Sequence, residues 1–160
     1  MDQRHVSRRD FIRNTAGAAT AVAGVFAAPG ASKGHAAAQR LGIGLIGTGA
    51  RAQAHLDILF KLQAAGRPVD VVAACDVYTP QLRKTAEKVK ARSGRKLDTT
   101  GDYRELLAHR DVDAVVIATP DHWHARQALD ALGAGKHVYC ESPAAHTVDE
   151  VQQLASQWRE

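Results

Sequence analysis

The turn formed by Gly47, Thr48 and Gly49 is the pattern in this chain best suited to phosphate chemistry. It follows the apolar run 41–46 and precedes a segment of helical periodicity, so it joins a predicted strand to a predicted helix. In such a turn the first glycine bends the chain, the second lets the backbone approach a diphosphate, and a small third residue, here Ala52, allows close packing. A G-x-G triplet also occurs in ordinary strand-to-helix turns, so alone it leaves both interpretations open.

A carboxylate suited to a ribose follows the second apolar run. Asp76 lies 27 residues after Gly49, directly after the predicted strand 69–75. A carboxylate at this place can accept hydrogen bonds from adenosine ribose hydroxyls and would repel a 2′-phosphate. Because Val77 and Tyr78, rather than an arginine, come next, the sequence favours NAD over NADP. The alternative role of Asp76 is to cap the following helix.

Polar groups also follow the fourth and fifth apolar runs. The segment 119–124, TPDHWH, closes the fourth run, and Glu141 and Ser142 follow the fifth. The carboxyl ends of parallel strands share one edge of a sheet, so these groups, the glycine turn and Asp76 are predicted to converge. This convergence favours a dinucleotide site over an ordinary turn.

The pair His122 and His124 has the form of a metal-binding H-x-H motif. On the first turn of a helix, residues i and i+2 point about 200° apart, so no metal site is predicted. His124 is interpreted instead as a group on the cofactor side, and His55 as a packing or hydrogen-bonding residue. Three further histidines are predicted to lie at the surface or at strand edges: His109, His137 and His146.

The elements that must position these groups alternate regularly along the chain. Continuous apolar runs separated by helical segments predict an α/β fold with a parallel sheet covered on both faces. Right-handed crossovers give the doubly wound Rossmann order 3-2-1-4-5. The predicted strands are 41–46, 69–75, 97–100, 114–119 and 137–140. The predicted helices are 50–65, about 80–93, a brief helix capped by Asp102, one capped by Asp121, and one opened by a capping box of Thr147 and Glu150.

Residues 1–38 are predicted to be an export signal and are set aside from the fold. The segment SRRDFIR at 7–13 resembles the twin-arginine (Tat) motif, an Ala- and Gly-rich segment follows, and 36–38 fits a small-residue cleavage site. The alternative, a membrane anchor, is disfavoured because the segment is short, weakly apolar and broken at 29–30. We therefore expect Tat export to the periplasm or the exterior, and a folded domain over 39–160.

The net charge belongs mostly to this N-terminal segment. Residues 1–38 contribute three of the four net positive charges at pH 7. The remainder has no basic stripe with interleaved aromatic residues, so nucleic acid is not predicted as a partner.

The two cysteines, Cys75 and Cys140, end strands that the predicted order places three strand spacings apart, roughly 14 Å. A disulfide needs Cα atoms within about 7 Å. Two free, buried thiols are therefore predicted.

Three runs of the sequence, 47–56 (GTGARAQAHL), 73–76 (AACD) and 115–143 (VVIATPDHWHARQALDALGAGKHVYCESP), resemble the N-terminal half of the Gfo/Idh/MocA oxidoreductase family. The resemblance covers residues 41–160 and implies an NAD(P)-binding Rossmann domain. It implies a diphosphate held by Gly47, Thr48, Gly49 and Arg51, and an adenosine ribose held by Asp76. It also implies that the cofactor is lined toward its nicotinamide end by Thr119, Pro120, Asp121 and His124, and that Glu141 opens the family's Glu-Lys-Pro signature.

The sequence departs from the family pattern at Ser142, which stands where the family has a catalytic lysine. A lysine ammonium can polarise a substrate oxygen or transfer its proton, whereas a serine hydroxyl only donates a hydrogen bond. The sequence also ends before the C-terminal α+β substrate domain that family members carry. Turnover by this chain alone is therefore not expected.

The leading hypothesis is the NAD-binding domain of an exported oxidoreductase that transfers a hydride with a sugar or polyol hydroxyl. One alternative is an NAD-dependent glycoside hydrolase of the same shape, and another is a non-catalytic NAD-binding fragment. The sequence leaves the particular substrate and the oligomeric state open.

Overall fold

The computed structural model describes residues 40–158, which contain one five-stranded parallel sheet. The predicted export signal lies outside these residues. The strands are β1 (Leu41–Ile46), β2 (Val69–Cys75), β3 (Asp98–Thr100), β4 (Ala114–Ile117) and β5 (His137–Cys140). Their order is β3-β2-β1-β4-β5, and every neighbouring pair is parallel, so the predicted doubly wound arrangement is confirmed.

Five helices connect or follow the strands and cover both faces of the sheet. They are α1 (Ala50–Ala64), α2 (Thr79–Ser93), α3 (Tyr103–Leu107), α4 (His124–Gly133) and α5 (Val148–Gln157). The Asp102 carboxylate accepts from the Arg104 N–H at the start of α3, and the Thr147–Glu150 capping box opens α5. Both predicted caps are therefore confirmed. Within the described part of the chain, no helix has the length and apolar character needed to cross a membrane.

Alternating residues of β1, the central strand, pack in two separate hydrophobic clusters, one on each face of the sheet. Leu45 packs with Leu56 and Phe60 on the face covered by α1 and α2. Ile46, the next residue, packs on the opposite face with a cluster that includes Leu106. A parallel strand covered on both faces must be apolar on both sides, and this explains the continuous apolar run of β1.

The segment after β4 differs from its predicted form. The strand ends at Ile117 rather than at 119, and a 3₁₀ turn over Asp121–Trp123 precedes α4. The predicted helix cap at Asp121 is wrong, because this helix starts at His124 and no side-chain cap is found at the start of the 3₁₀ turn or of α4. The Asp121 carboxylate lies instead 3.4 Å from Nε2 of His146.

Burial at the β5 side is lower than the sequence indicates. Cys75 and Cys140 are both free, as predicted, but only Cys75 is fully buried. Cys140 is half-buried because it lies on β5, the last strand of this sheet. On α5, only Leu154 packs against the core, whereas Val151 and Trp158 of the predicted apolar face are 55% and 78% exposed.

Candidate dinucleotide site

A cleft of about 510 Å³ opens at the carboxyl edge of the sheet. It is bordered by the residues that follow four of the strands, β1, β2, β3 and β4, and so lies where doubly wound folds bind ligands. Its lining comprises Ile46, Gly47, Gly49, Cys75, Asp76, Val77, Gly101, Asp102, Tyr103, Arg104, Ala118, Thr119, Pro120, Trp123 and Gln127. The cleft therefore contains five of the predicted cofactor residues: Gly47, Gly49, Asp76, Thr119 and Pro120.

The two glycines of the turn have different structural reasons to be glycine. Gly47 has a φ of +86°, and a Cβ there would lie 2.8 Å from the Ala118 carbonyl oxygen. Gly49 has an ordinary φ of −65°, and a Cβ there would meet no atom within 4 Å. Gly47 is thus required by the fold, whereas the space beside Gly49 is open and faces the cleft.

Both hydrogen-bond donors of Thr48 are directed at Asp76 rather than into the cleft. It is fully buried, and its N–H and hydroxyl donate to Asp76 Oδ2 at 2.7 and 2.6 Å. Its carbonyl accepts from the side-chain amides of Gln53 and Gln81. Both donors of Thr48 are occupied by a carboxylate in this structure, and its implied contact with the diphosphate stays a prediction.

Asp76 keeps limited capacity for a ligand. A carboxylate has about four lone-pair directions. Two donors from Thr48 reach Oδ2, and the Tyr78 N–H donates to Oδ1 at 2.9 Å. About one direction therefore remains for a ribose hydroxyl. The carboxylate is fixed and partly exposed at the cleft, which is the arrangement that ribose recognition needs.

The start of α1 supplies the donors that a diphosphate requires. The first N–H groups of a helix have no partner within the helix, and the aligned peptide dipoles leave partial positive charge there. Gly49 is the N-cap residue of α1, and no side-chain hydrogen bond is found at this cap. The open space beside Gly49 would let a diphosphate reach these amides. The residues present therefore fit a dinucleotide.

Glu141 ties α1 to the end of β5. Its carboxylate lies 3.0 Å from Nε of Arg51 and 2.5 Å from Nε2 of His55. The hydrogen bond with Arg51 makes the largest contribution and that with His55 a smaller one, and together they lower the pKa of Glu141 to about 2. Burial of the side chain, which is 12% exposed, acts in the opposite direction. His55 is thus a hydrogen-bonding residue, as predicted. Arg51 pairs with Glu141 in this structure, so its predicted contact with a diphosphate stays a prediction.

Thr119 and Trp123 form the other end of the cleft. The Thr119 hydroxyl donates to Oε1 of the buried Gln127 at 2.7 Å, which fixes its orientation. The Trp123 side chain is 45% exposed and lines the cleft from the 3₁₀ turn. This end therefore combines a fixed polar group with an accessible aromatic surface.

His124 is buried instead of lining the cleft. It is only 2% exposed, and its ring nitrogens lie 2.8 and 2.9 Å from the carbonyl oxygens of Pro143 and Thr119. Both ring nitrogens face main-chain carbonyls in this structure, and the predicted place of His124 on the cofactor side stays a prediction. Ser142, next to Pro143, is exposed but does not line the cleft.

Cys75 lines the cleft, but burial raises its pKa to about 12, so it is a thiol at neutral pH.

Asp121, His122 and His146 lie together, with His122 Nδ1 3.9 Å from the Asp121 carboxylate. Among residues 40–158 no group of three or more His, Cys, Asp or Glu side chains is placed to hold a metal ion.

Three cleft residues that follow β3 were not predicted from the sequence as part of the site. Gly101, Asp102 and Arg104 line the cleft next to Asp76, and the Arg104 guanidinium lies 4.7 Å from the Tyr103 ring centre. A signal was available, because these residues directly follow a predicted strand and must therefore reach the same edge. Gln127 was missed as well, since its helical position alone indicates no role.

Comparison with known proteins identifies the family of this chain. The Gfo/Idh/MocA family model, an oxidoreductase family with an NAD-binding Rossmann fold, matches residues 41–160. The chain is 36% identical over 116 residues to an alpha-N-acetylgalactosaminidase of Shewanella oneidensis, covering 70% of this chain and 24% of that protein.

Two solved structures extend the comparison. A myo-inositol 2-dehydrogenase from Lactobacillus plantarum superposes with a TM-score of 0.66 at 26% identity, covering 76% of this chain and 33% of the other. An NAD-binding oxidoreductase from Klebsiella pneumoniae gives a TM-score of 0.60 at 37% identity, covering 75% and 32%.

The fold and the cleft define a dinucleotide-binding Rossmann domain. The chain belongs to the Gfo/Idh/MocA oxidoreductase family, and NAD is the cofactor of this fold. It spans about a quarter to a third of the length of the curated relatives that it matches.

Proposed function

We propose that this chain binds NAD across the carboxyl edge of its sheet and serves as the cofactor domain of an enzyme that acts on a sugar or polyol hydroxyl. The observation that carries the proposal is the Asp76 carboxylate, held by Thr48 at the mouth of a 510 Å³ cleft beside the glycine turn. When bound, NAD supplies the hydride acceptor. The chain's own residues bind and orient it.

Each proposed contact with NAD follows from the position of the residue along the cleft. The turn at Gly47 and Gly49 and the start of α1 hold the diphosphate, and Asp76 accepts from the adenosine ribose. Thr119 and Pro120 border the nicotinamide half, with Asp121 and Glu141 on the loops beside it. These roles combine the geometry with what the family implies, and they remain proposals for each residue.

NAD is proposed in preference to NADP. The Asp76 carboxylate would repel a 2′-phosphate. Arg104, a cation of the cleft lining, already lies 3.5 Å from the Asp102 carboxylate and over the Tyr103 ring. We expect NADH to bind at least about tenfold more tightly than NADPH.

The test is a fluorescence titration of the 160-residue chain with NADH. Saturable binding is expected, and Asp76→Asn weakens it by about tenfold, because a charged acceptor of a ribose hydrogen bond is lost. Asp149→Asn makes the same chemical change on the exposed start of α5 and leaves the affinity unchanged. A folded chain that takes up neither NADH nor NAD would overturn the proposal.

A second candidate, an NAD-dependent glycoside hydrolase, is favoured by two observations. A curated relative is an alpha-N-acetylgalactosaminidase, and Ser142 lacks the charge of the family lysine. The serine hydroxyl can orient a substrate but supplies no ammonium for proton transfer. Release of an aglycone without net NADH formation would support the hydrolase, whereas net NADH formation from a free sugar would support the oxidoreductase.

A third candidate is a binding module without turnover. Ser142 supports it, because the exposed hydroxyl lies outside the cleft lining. Tight NADH binding with no reaction on a panel of sugars and aryl glycosides, not restored by Ser142→Lys, would favour the module.

We also propose that residues 1–38 direct export through the twin-arginine machinery to the periplasm or the exterior. The support is the order of the twin arginines, the uncharged segment and the small residues at 36–38. Fusion of residues 1–38 to a reporter that requires Tat export tests this. Replacement of Arg8 and Arg9 by lysines should abolish export, and unchanged export would contradict the assignment.

A further inference from the structure

Within residues 40–158, His124 is the one side chain whose two ring nitrogens contact two different loops, the loop after β4 and the loop after β5. Nδ1 lies 2.8 Å from the carbonyl oxygen of Pro143, and Nε2 lies 2.9 Å from that of Thr119. The ring is 2% exposed, so water does not compete for these contacts. The contacts connect two segments that are distant along the chain and adjacent at the carboxyl edge of the sheet.

The chemistry of the two partners restricts what His124 does. A backbone carbonyl only accepts hydrogen bonds, and a neutral imidazole carries one N–H. A neutral ring therefore donates to one of the two carbonyls, and the tautomer decides which of them. Because both ring nitrogens face main-chain oxygens, the ring presents no nitrogen to a ligand. His124 therefore acts on the cleft through the loops that it joins.

The position of these loops identifies the part of the cofactor that they affect. Asp76, at the end of β2, lies to one side of the glycine turn after β1, whereas β4 and β5 lie to the other. A dinucleotide with its adenosine at Asp76 and its diphosphate at the turn must place its nicotinamide half over the β4 side. Thr119 lies there. Its carbonyl contacts Nε2 of His124, and its hydroxyl donates to Gln127.

We propose that His124 is a positioning residue for the nicotinamide half of the cofactor. It holds the Pro143 segment against Thr119, and thereby fixes the loop that carries Ser142 beside the cleft. The adenosine half, bound at Asp76 and at the start of α1, does not depend on it. This inference rests on the proposed binding of NAD.

The test separates the two halves of the ligand by titrating the full chain with NADH and with ADP-ribose, which lacks the nicotinamide. His124→Phe keeps a ring and removes both polar nitrogens, whereas His124→Gln keeps an amide that can still donate a hydrogen bond. The expected loss of NADH affinity is about tenfold or more for His124→Phe and smaller for His124→Gln, because the contact between the two loops is lost or weakened. ADP-ribose affinity stays within about twofold of the wild type in both variants.

The fluorescence of bound NADH gives a second readout of the nicotinamide environment. Its enhancement should fall in the order wild type, His124→Gln, His124→Phe. His122→Gln is the matched control, since its side chain lies on the same segment and is 66% exposed. This control should leave both affinities and the fluorescence unchanged.

The outcomes distinguish the inference from the proposed function. If the wild type binds neither ligand, NAD binding is overturned and the positioning role with it. If the wild type binds both and the His124 variants lose both affinities equally, or neither, only the positioning role is overturned. If His124→Phe does not fold, the ratio of the two affinities in His124→Gln decides in the same way.

Discussion

At the scale of single residues, Thr48 and Asp76 form one unit. The Thr48 N–H and hydroxyl both donate to Oδ2 of Asp76, and the threonine is fully buried. A buried pair of short hydrogen bonds fixes the carboxylate before any ligand arrives. Preorganisation of this kind lowers the entropic cost of binding.

Thr48→Val should therefore weaken NADH binding without contacting the ligand. Valine keeps the shape and removes the hydroxyl, so we expect affinity to fall about three- to tenfold and the free energy of unfolding to fall by about 1 kcal/mol. A fluorescence titration and urea unfolding measure the two effects. Thr48→Ser keeps the hydroxyl and should bind as the wild type does. Equal affinity of Thr48→Val and wild type would show that Thr48 does not orient Asp76.

Glu141 gives the structure an acid-sensitive contact. Its pKa falls from the usual value near 4.5 to about 2, mainly through its hydrogen bond with Arg51. A carboxylate with a lowered pKa in the folded state stabilises the fold above its unfolded pKa, and this contribution is lost as the pH falls through the folded one. Glu141 thus adds to stability near pH 5 and progressively less toward pH 2.

The melting temperature of Glu141→Gln should therefore fall less between pH 5 and pH 3 than that of the wild type. Thermal unfolding followed by circular dichroism across this range measures the slope. Glu87→Gln is the matched control, because it makes the same change at an exposed position on α2. A slope in Glu141→Gln equal to that of the wild type would exclude this role of Glu141.

At the scale of elements, the β1–α1 turn separates folding from binding. A methyl at Gly47 would contact the Ala118 carbonyl in a left-handed backbone, whereas a methyl at Gly49 would enter open space in the cleft. Gly47→Ala should lower the free energy of unfolding by about 1–3 kcal/mol. Gly49→Ala should keep wild-type stability and lose NADH affinity by about tenfold or more, because the methyl occupies the place of a diphosphate.

Urea unfolding and NADH titration of both glycine variants check this separation. Each variant is the control for the other, since the two changes are identical and lie two residues apart. If Gly49→Ala bound NADH normally while folded, the diphosphate would not lie at this turn.

The elements also show how much of the site follows from the sequence. The strand order, the glycine turn and the placement of Asp76 followed from patterns that are local in sequence, and the structure confirms them. The contacts Thr48–Asp76, Arg51–Glu141 and His124–Pro143 did not follow, because each joins residues 19 or more positions apart that only the tertiary fold brings together. Likewise, the residue after β4, Ala118, lies against Gly47, and this proximity joins segments that no single window of sequence contains.

At the scale of the whole molecule, the sheet separates two polar clusters by the length of a strand. Asp70, near the start of β2, is 8% exposed and pairs with Arg40 at 2.9 Å and Arg95 at 2.7 Å. Asp76, just after the same strand, lies at the cleft. Six residues of strand place these two carboxylates roughly 20 Å apart. The amino edge thus carries a structural ion cluster and the carboxyl edge carries the site.

Asp70→Asn should therefore mainly lower the stability of the fold, whereas Asp76→Asn should mainly lower the affinity for NADH. Asp70→Asn weakens contacts to two arginines and to Gln63, so the free energy of unfolding should fall by about 1–3 kcal/mol. NADH affinity should stay within about twofold, because sites this far apart act independently. Asp76→Asn should show the larger loss of NADH affinity. Urea unfolding and NADH titration of both variants measure this, and a fivefold or greater loss of affinity in folded Asp70→Asn would mean that the two edges are coupled through β2.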